Sequence, residues 1–379
     1  MVVFFIFITL IYVFLIGSFI YGFDKIKSVT LVDKPSKTKF TIIVPFRNEA
    51  DNILLLLQSL NTLKYPKQLF EIILVDDASE DNSVELIKGF ISENSIDYDK
   101  NNIMIIENNR ISKSPKKDAI NTAIQHSKKE WIITTDADCI VPKYWLNSFD
   151  YFIQNNTTKF IVAPVTFYEV NSFFKRFQVI DFLSLIGVTI GGFGIHKPFL
   201  CNGANLAYNK VFFKAVNGFN GNENIASGDD IFLLEKAIMH DPKQVHYLKT
   251  AHAVVLTKPQ QSFKNLLSQR IRWAAKTSSY KNWFAKSTGL IVLIMNLSII
   301  VVLILTSFGL LSLKFFISIF MIKISIDFLL IFKTSRFFNQ EGFLISYIFS
   351  SLLYPLFSVY VAYISIFKGY KWKGRQFSK

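Results

Sequence analysis

The stretch 2–23, VVFFIFITLIYVFLIGSFIYGF, carries no charged side chain. Wound as a helix, it is long enough to cross a bilayer hydrocarbon core of about 30 Å. A run of this kind ties the chain to a membrane before anything else about its fold is considered. A cleaved signal peptide fits less well, because no basic residue precedes the run, the run is too long, and no small-x-small site follows it. Three more apolar segments fill the last quarter, at 288–313, 315–332 and 342–367. The middle one contains Lys323 and Asp327, four apart and so placed to pair on a helix inside a bundle. The third contains Pro355, which predicts a kinked span or a re-entrant hairpin.

Composition agrees with this reading. Hydrophobic residues make up 51%, aromatics 16% and charged residues only 18% of 379 positions, too apolar for an ordinary soluble protein. The net charge of +14 suits anionic headgroups and a phosphorylated substrate. No nucleic-acid recognition motif accompanies it, so nucleic acid is not an expected partner. Cys139 and Cys201 are the only cysteines and imply no disulfide framework.

Lys25, Lys27, Lys34, Lys37 and Lys39 follow the first apolar run, and Lys276, Lys281 and Lys286 precede the second. By the positive-inside tendency the region between them is cytoplasmic, in an integral protein of the cell or inner membrane. Three full C-terminal spans would then send the basic tail 368–379 to the outer side. A hairpin or an in-plane helix among those segments returns it to the cytoplasm, which is the expected arrangement. The domains so drawn are a membrane helix at 1–23, a catalytic domain at 39–285, a membrane region at 288–367 and the tail.

Within the middle region, KFTIIVPF, FEIILVDDAS, NIMIIENN and EWIITTDA read as buried strands. Between them, EADNILLLLQSLNTL, DNSVELIKGFISE and KKDAINTAIQHSKK read as helices, an order that predicts an α/β layer with a mainly parallel sheet. The apolar stretch 173–200 is expected to pack on the membrane surface or to line an entry for a lipid-like acceptor, because a full crossing would put its two flanks in different compartments.

In parallel sheets ligands gather beyond the carboxyl ends of strands, and the polar clusters fall there: PFRNE at 45–49, Asp76 and Asp77, then Asp136 and Asp138. Asp76 and Asp77 could form a plain turn or hold a base or ribose by hydrogen bonds. For Asp136 and Asp138 an acidic turn is the plain alternative. In extended chain their two-residue spacing points them to opposite faces, so that one meets a sugar hydroxyl and the other a divalent cation, Mg²⁺ or Mn²⁺, shared with diphosphate oxygens. Asp229 and Asp230 stand where a helix begins. One of them can cap it, which leaves the other to act as general base. Gln269, Arg272 and Trp273 share a helical face, where Arg and Trp are common at membrane interfaces but can also serve a phosphate and a sugar ring. Lys116 and Lys117 belong to the basic stretch 100–129, of the kind most often solvated. The five histidines show no metal-ligand spacing.

Taken in order, PFRNE, VDDAS, KKDAIN, DAD, GAN, GDD and QRIRW resemble the motifs of the membrane-bound family 2 glycosyltransferases, the group of ceramide glucosyltransferase-like enzymes and of cellulose, chitin and hyaluronan synthases. The resemblance covers nearly the whole chain. It implies a GT-A nucleotide-sugar fold with one N-terminal and about three C-terminal membrane helices, and an inverting transfer from a nucleotide-diphospho-sugar, expected to be a UDP-sugar, to a membrane lipid or lipid-linked glycan. By position, Glu49 and Asp76 or Asp77 would contact the nucleoside, Lys116 the diphosphate, Asp136 the nucleotide sugar and Asp138 the metal. Gly203 to Asn205 would border the donor sugar, and Asp230 would be the base beside Asp229. Gln269, Arg272 and Trp273 would close the site over diphosphate and acceptor. The pair Asp229-Asp230 departs from the family's Glu-Asp. The small C-terminal membrane region favours single transfer over a processive polysaccharide synthase, and a non-catalytic nucleotide-binding assembly subunit is the alternative from another class.

Overall fold

The computed structural model describes residues 1–93, 102–367, 369–372 and 375–377. Lys100 of the basic stretch and Lys368, Lys373 and Lys379 of the tail lie outside these residues. Two compact units are formed, one from Lys27–Tyr168 and Cys201–Lys258, the other from Met1–Ile26, Glu169–Leu200 and Pro259–Lys379. This differs from the contiguous domain expected at 39–285, since residues 169–200 and 259–285 belong with the long apolar helices.

The first unit is an α/β layer. Its strands are β1 (Phe40–Phe46), β2 (Phe70–Asp76), β3 (Ile103–Glu107), β4 (Trp131–Thr134), β5 (Phe160–Val162), β7 (Leu206–Asn209) and β8 (Val245–Tyr247), in the spatial order β3-β2-β1-β4-β7-β5-β8. A separate parallel pair joins β6 (Val165–Phe167) to β9 (Val255–Thr257). The four expected strands are all present, and β3, β2, β1 and β4 run parallel. Ile42, Ile43, Val44, Leu74 and Val75 are at most 1% exposed, which is why their sequences read as unbroken apolar runs rather than alternating ones. Helices α2 (Ile53–Asn61), α3 (Ser83–Glu93) and α4 (Pro115–His126) are the expected connections, with α5 (Trp145–Asn155), α7 (Lys210–Ala215) and α8 (Ile231–His240) beside them.

Strand register aligns the carboxyl ends. Phe46 stands opposite Asp76, and Asp76 opposite Glu107. The segments that follow these strands and β4 therefore emerge on one edge, where the polar clusters were expected. β7 is the exception to the parallel pattern, running antiparallel to both β4 and β5.

The second unit contains α1 (Val2–Lys25), α6 (Phe173–Gly194), α9 (Phe263–Ala275), α10 (Trp283–Ser307), α11 (Leu313–Phe338) and α12 (Tyr347–Phe367), and a short hairpin of β10 (Tyr370–Trp372) and β11 (Arg375–Phe377). Counting the residues just before α12 with it, five of these helices are long and apolar enough to cross a membrane, making this a membrane-embedded protein. The 173–200 stretch supplies the fifth, α6, which is more deeply buried among its neighbours than the others. It packs on α1 so closely that a Cβ added to Gly22, Gly191 or Gly194 would collide with the opposing backbone, the small-residue contact typical of apolar bundles. Yet strands before α6 (β4, β5) and after it (β7, β8) belong to one sheet, so its two flanks share a compartment.

Lys323 and Asp327 pair at 2.7 Å as expected, and the Tyr12 hydroxyl of α1 donates to Asp327 at 2.6 Å. At Pro355 the structure departs from the hairpin alternative, because α12 runs through the proline as one helix. Where no water is at hand, losing one ladder bond at a proline costs less than exposing a whole turn of backbone.

Candidate active site

Asp136 and Asp138 lie just beyond β4, not within it. The Cys139 amide donates to the Asp136 carbonyl at 3.2 Å, closing a turn whose central residues are Ala137 and Asp138. The opposite-faces argument, which assumed extended chain, is therefore replaced by a turn that carries both carboxylates at the sheet's edge. Both acids are half-buried.

Opposite this turn stands Lys116. Its Nζ lies 2.6 Å from Asp136 Oδ1 and 3.2 Å from Asp229 Oδ2, so one ammonium bridges two acids from distant parts of the chain. Burial alone would lower the lysine's pKa, but the charges of Asp136 and Asp229 outweigh it and hold the ammonium well above its ordinary value. Lys116 is therefore not part of a solvated face, the plain alternative for its basic stretch. Lys117, the next residue, is fully buried and donates to the carbonyls of Asn222 (2.7 Å) and Ile225 (2.8 Å), pinning the loop that leads to Asp229. Sequence reasoning passed over Lys117, whose only signal is its place after Lys116 on α4.

Gly203 sits at the centre of the cluster. A Cβ there would lie 2.9 Å from Asp229 Oδ2 and 3.5 Å from Lys116 Nζ, so no larger residue fits without displacing an acid. Its amide donates to Asp230 Oδ2 at 3.2 Å, and its carbonyl accepts from Thr134 Oγ1 of β4 at 2.8 Å. Asp230 is the N-cap of α8, with Oδ1 accepting the Ile231 amide at 2.8 Å. Gly228, at φ +85°, provides the left-handed turn into the two acids. The cap and the base candidate are thus one residue, and its neighbour Asp229 is the partner of Lys116. Two amides orient the Asp230 carboxylate, whose oxygens offer roughly four lone-pair sites in all.

Asn205 is corrected from the sugar-facing role. It is wholly buried, its Nδ2 donating to the carbonyls of Pro164 and Ala253 (2.7 Å each) and its Oδ1 accepting from Trp145 Nε1 at 2.9 Å. It braces the floor beneath Gly203.

At the neighbouring strand ends, Glu49 is buried, its Oε2 accepting from Asn52 at 2.8 Å and its amide bonded to Ser83 Oγ. Asp76 Oδ1 accepts the Ser79 amide at 2.9 Å, a local turn. Asp77 is held by Asn108 (2.7 Å) and Arg110 (2.5 Å), the latter another residue that the sequence reading missed. Across the same edge Arg47 donates to the Asp77 carbonyl and pairs with Glu80. The structure brings Glu49, Asp76, Asp77, Lys116, Asp136, Asp138, Gly203, Asp229 and Asp230 into one unit, while Gln269, Arg272 and Trp273 sit on α9 of the helical unit.

Among the described residues no three His, Cys, Asp or Glu side chains converge as a metal cage. A Mg²⁺-like ion needs only one or two protein carboxylates, its other positions going to substrate phosphates and water, and the turn that carries Asp136 and Asp138 offers two.

Residues 41–213 match the family described as Glycosyl transferase family 2, and residues 131–367, more than half of the chain, match Glycosyl transferase family group 2. Glycosyltransferase AglE of Haloferax volcanii is 25% identical over 232 residues, covering 61% of this chain and 70% of that protein. A poly-beta-1,6-N-acetyl-D-glucosamine synthase of Staphylococcus epidermidis is 22% identical over 273 residues, 69% of this chain and 61% of that one. Among solved structures, a mannosyltransferase from Pyrobaculum calidifontis in complex with GDP-Man and Mn²⁺ shares the fold, with a TM-score of 0.56 and 17% identity over 92% of this chain and 95% of that chain. The chain is a family 2 glycosyltransferase, built on a GT-A-like α/β domain and carrying long apolar helices.

Proposed function

We propose that this enzyme transfers a single sugar, with inversion, from a nucleoside-diphosphate sugar to a hydroxyl of a membrane lipid or lipid-linked glycan. The observation that carries the proposal is the cluster of Lys116, Asp136, Gly203, Asp229 and Asp230 at the carboxyl edge of the parallel strands. Asp230, oriented by two amides, takes the proton from the acceptor hydroxyl. The oxygen so freed attacks the anomeric carbon from the face opposite the diphosphate. Lys116 passes from its two carboxylates to the diphosphate oxygens, where its held charge offsets that of the leaving group.

Asp138, with Asp136 beside it, would hold a divalent cation, Mg²⁺ or Mn²⁺, which when bound neutralises diphosphate charge. Glu49 and Asp76 serve the nucleoside, Asp77 is the less exposed of the two adjacent acids, and Gln269, Arg272 and Trp273 contribute to the same reaction from α9. UDP is the proposed nucleotide. The mannosyltransferase that shares the fold was solved with a GDP-sugar, so both belong in the test. The lysines that flank the apolar runs support a cytoplasmic place for the catalytic unit.

The likeness to a polymer synthase supports a second reading, processive synthesis at the same site. The protein in vesicles of a total membrane-lipid extract, which supplies the lipid acceptors, incubated with labelled UDP- and GDP-sugars, with and without a chelator, separates the two. A metal-dependent product of one added sugar supports single transfer. A ladder or long polymer overturns it in favour of processive synthesis, and absence of turnover with every donor overturns both.

A further inference from the structure

Arg270 stands inside the QRIRW stretch without being one of the three motif residues, and its side chain touches two of them. Nε lies 2.7 Å from Asp181 Oδ2 of α6, with the two side chains only 7% and 6% exposed. Nη1 donates to Gln269 Oε1 at 2.6 Å. The guanidinium carbon stands 4.2 Å from the centre of the Trp273 ring, and Phe182, the neighbour of Asp181, sets its own ring 6.4 Å from that indole. Nη2 is buried and finds no acceptor among the described residues, a cost that a residue kept only for packing would avoid.

These contacts use what distinguishes arginine from lysine. A planar fork can bond a carboxylate, donate sideways to an amide oxygen and lie over an indole at once, whereas an ammonium on a flexible stem can satisfy only the carboxylate. Asp181 supplies the fixed point, because it sits on α6, a helix clamped to α1 through Gly22, Gly191 and Gly194.

We infer that Arg270 is a positioning residue for sugar transfer, anchored by Asp181 and holding the Gln269 amide and the Trp273 indole in one orientation. The inference rests on the reading that Gln269 and Trp273 take part in transfer.

The test uses the full chain in vesicles of phosphatidylethanolamine and phosphatidylglycerol, supplied with labelled UDP-N-acetylglucosamine, UDP-glucose or GDP-mannose. Arg270→Lys, which keeps the charge beside Asp181, is expected to lower kcat about 10- to 100-fold with donor KM unchanged, the scale of a small misplacement of binding groups. In a Gln269→Ala/Trp273→Phe background the same substitution is expected to cost little more, because its targets are gone. Full transfer by the Gln269→Ala/Trp273→Phe variant overturns the motif reading. A slow Gln269→Ala/Trp273→Phe variant beside a fast Arg270→Lys, or an Arg270→Lys loss undiminished in that background, overturns the positioning role alone. If Arg270→Lys fails to fold, Asp181→Asn/Arg270→Gln, which removes both charges together, takes its place. A readout independent of donor is the Trp273 emission, taken as the difference between a chain and its Trp273→Phe form. Arg270→Lys is expected to make it more quenchable by acrylamide, and an unchanged difference overturns the proposal.

Discussion

Lys116 Nζ lies 2.6 Å from Asp136 Oδ1, joining a helix that follows β3 to the turn that follows β4. Because Asp229 holds the same ammonium from a third direction, removing it leaves two carboxylates facing each other. Lys116→Met is expected to lower kcat about 10²- to 10³-fold, as losing one preorganised charge at a leaving group does. Steady-state rates with the preferred donor check this, and a loss of less than tenfold would show that the lysine serves the fold alone.

The same contact sets a pH expectation. Asp136 and Asp229 hold the Lys116 pKa above its ordinary value, so the charged form gains stability in the folded site. That contribution is complete below the unfolded lysine pKa of about 10.4 and is lost only as pH rises through the still higher folded value. Thermal unfolding of the native chain and of Lys116→Met, compared between neutral pH and pH about 9.5, should show a constant difference. A difference that narrows over this range would contradict the direction of the shift.

Asp230 caps α8 and is the proposed base, roles that different substitutions separate. Asn caps nearly as well as Asp, so Asp230→Asn is expected to fold as the native chain does while losing about 10²- to 10⁴-fold in turnover. Asp230→Ala should lose turnover and also about 1 kcal/mol of stability. Equal melting temperatures for the two variants would dissociate the cap from stability.

At Gly203 a methyl group would press on Asp229 Oδ2. Gly203→Ala is expected to cost about 1–3 kcal/mol of stability, the usual penalty for overpacking a tight site, and to slow transfer. Calorimetry together with donor kinetics tests both, and an unperturbed variant would mean that the acids have room to yield.

Cys139 is buried, and burial with the nearby charges of Asp138 and Asp136 pushes its thiol well above the ordinary range. Little thiolate forms at neutral pH, so maleimide should modify the more exposed Cys201 and spare Cys139 until the protein is denatured. Mass spectrometry of the native adduct decides, with two labels counting against the buried assignment.

Much of this was legible in the sequence because buried parallel strands are written as unbroken Val and Ile runs, and the acids closing them interrupt those runs. The four first strands and the lysine–aspartate pair of α11 followed from spacing alone. β7 did not. Its LAYN is short and has no alternation, and its antiparallel place between β4 and β5 depends on chain that lies far away in sequence. Asn205 entered only through the GAN motif of the resemblance, and the three buried partners that hold its side chain lie far away in sequence. Charge alone does not separate Lys116 from Lys117; the resemblance picked Lys116 by its place in KKDAIN, and the turn of α4 sends it to the acids and Lys117 to the carbonyls of the 222–225 loop.

The insertion of α6 between β6 and β7 has a consequence for how the enzyme is made. During synthesis β1 to β5 emerge first, yet the sheet cannot close, because β7 must enter between β4 and β5 and is separated from them by the longest apolar helix of the middle region. Non-local pairings of this kind form late. The strand that Gly203 precedes, β7, therefore pairs only once the chain on the far side of α6 has been made, and the floor of the active site is among the last parts of the sheet to close.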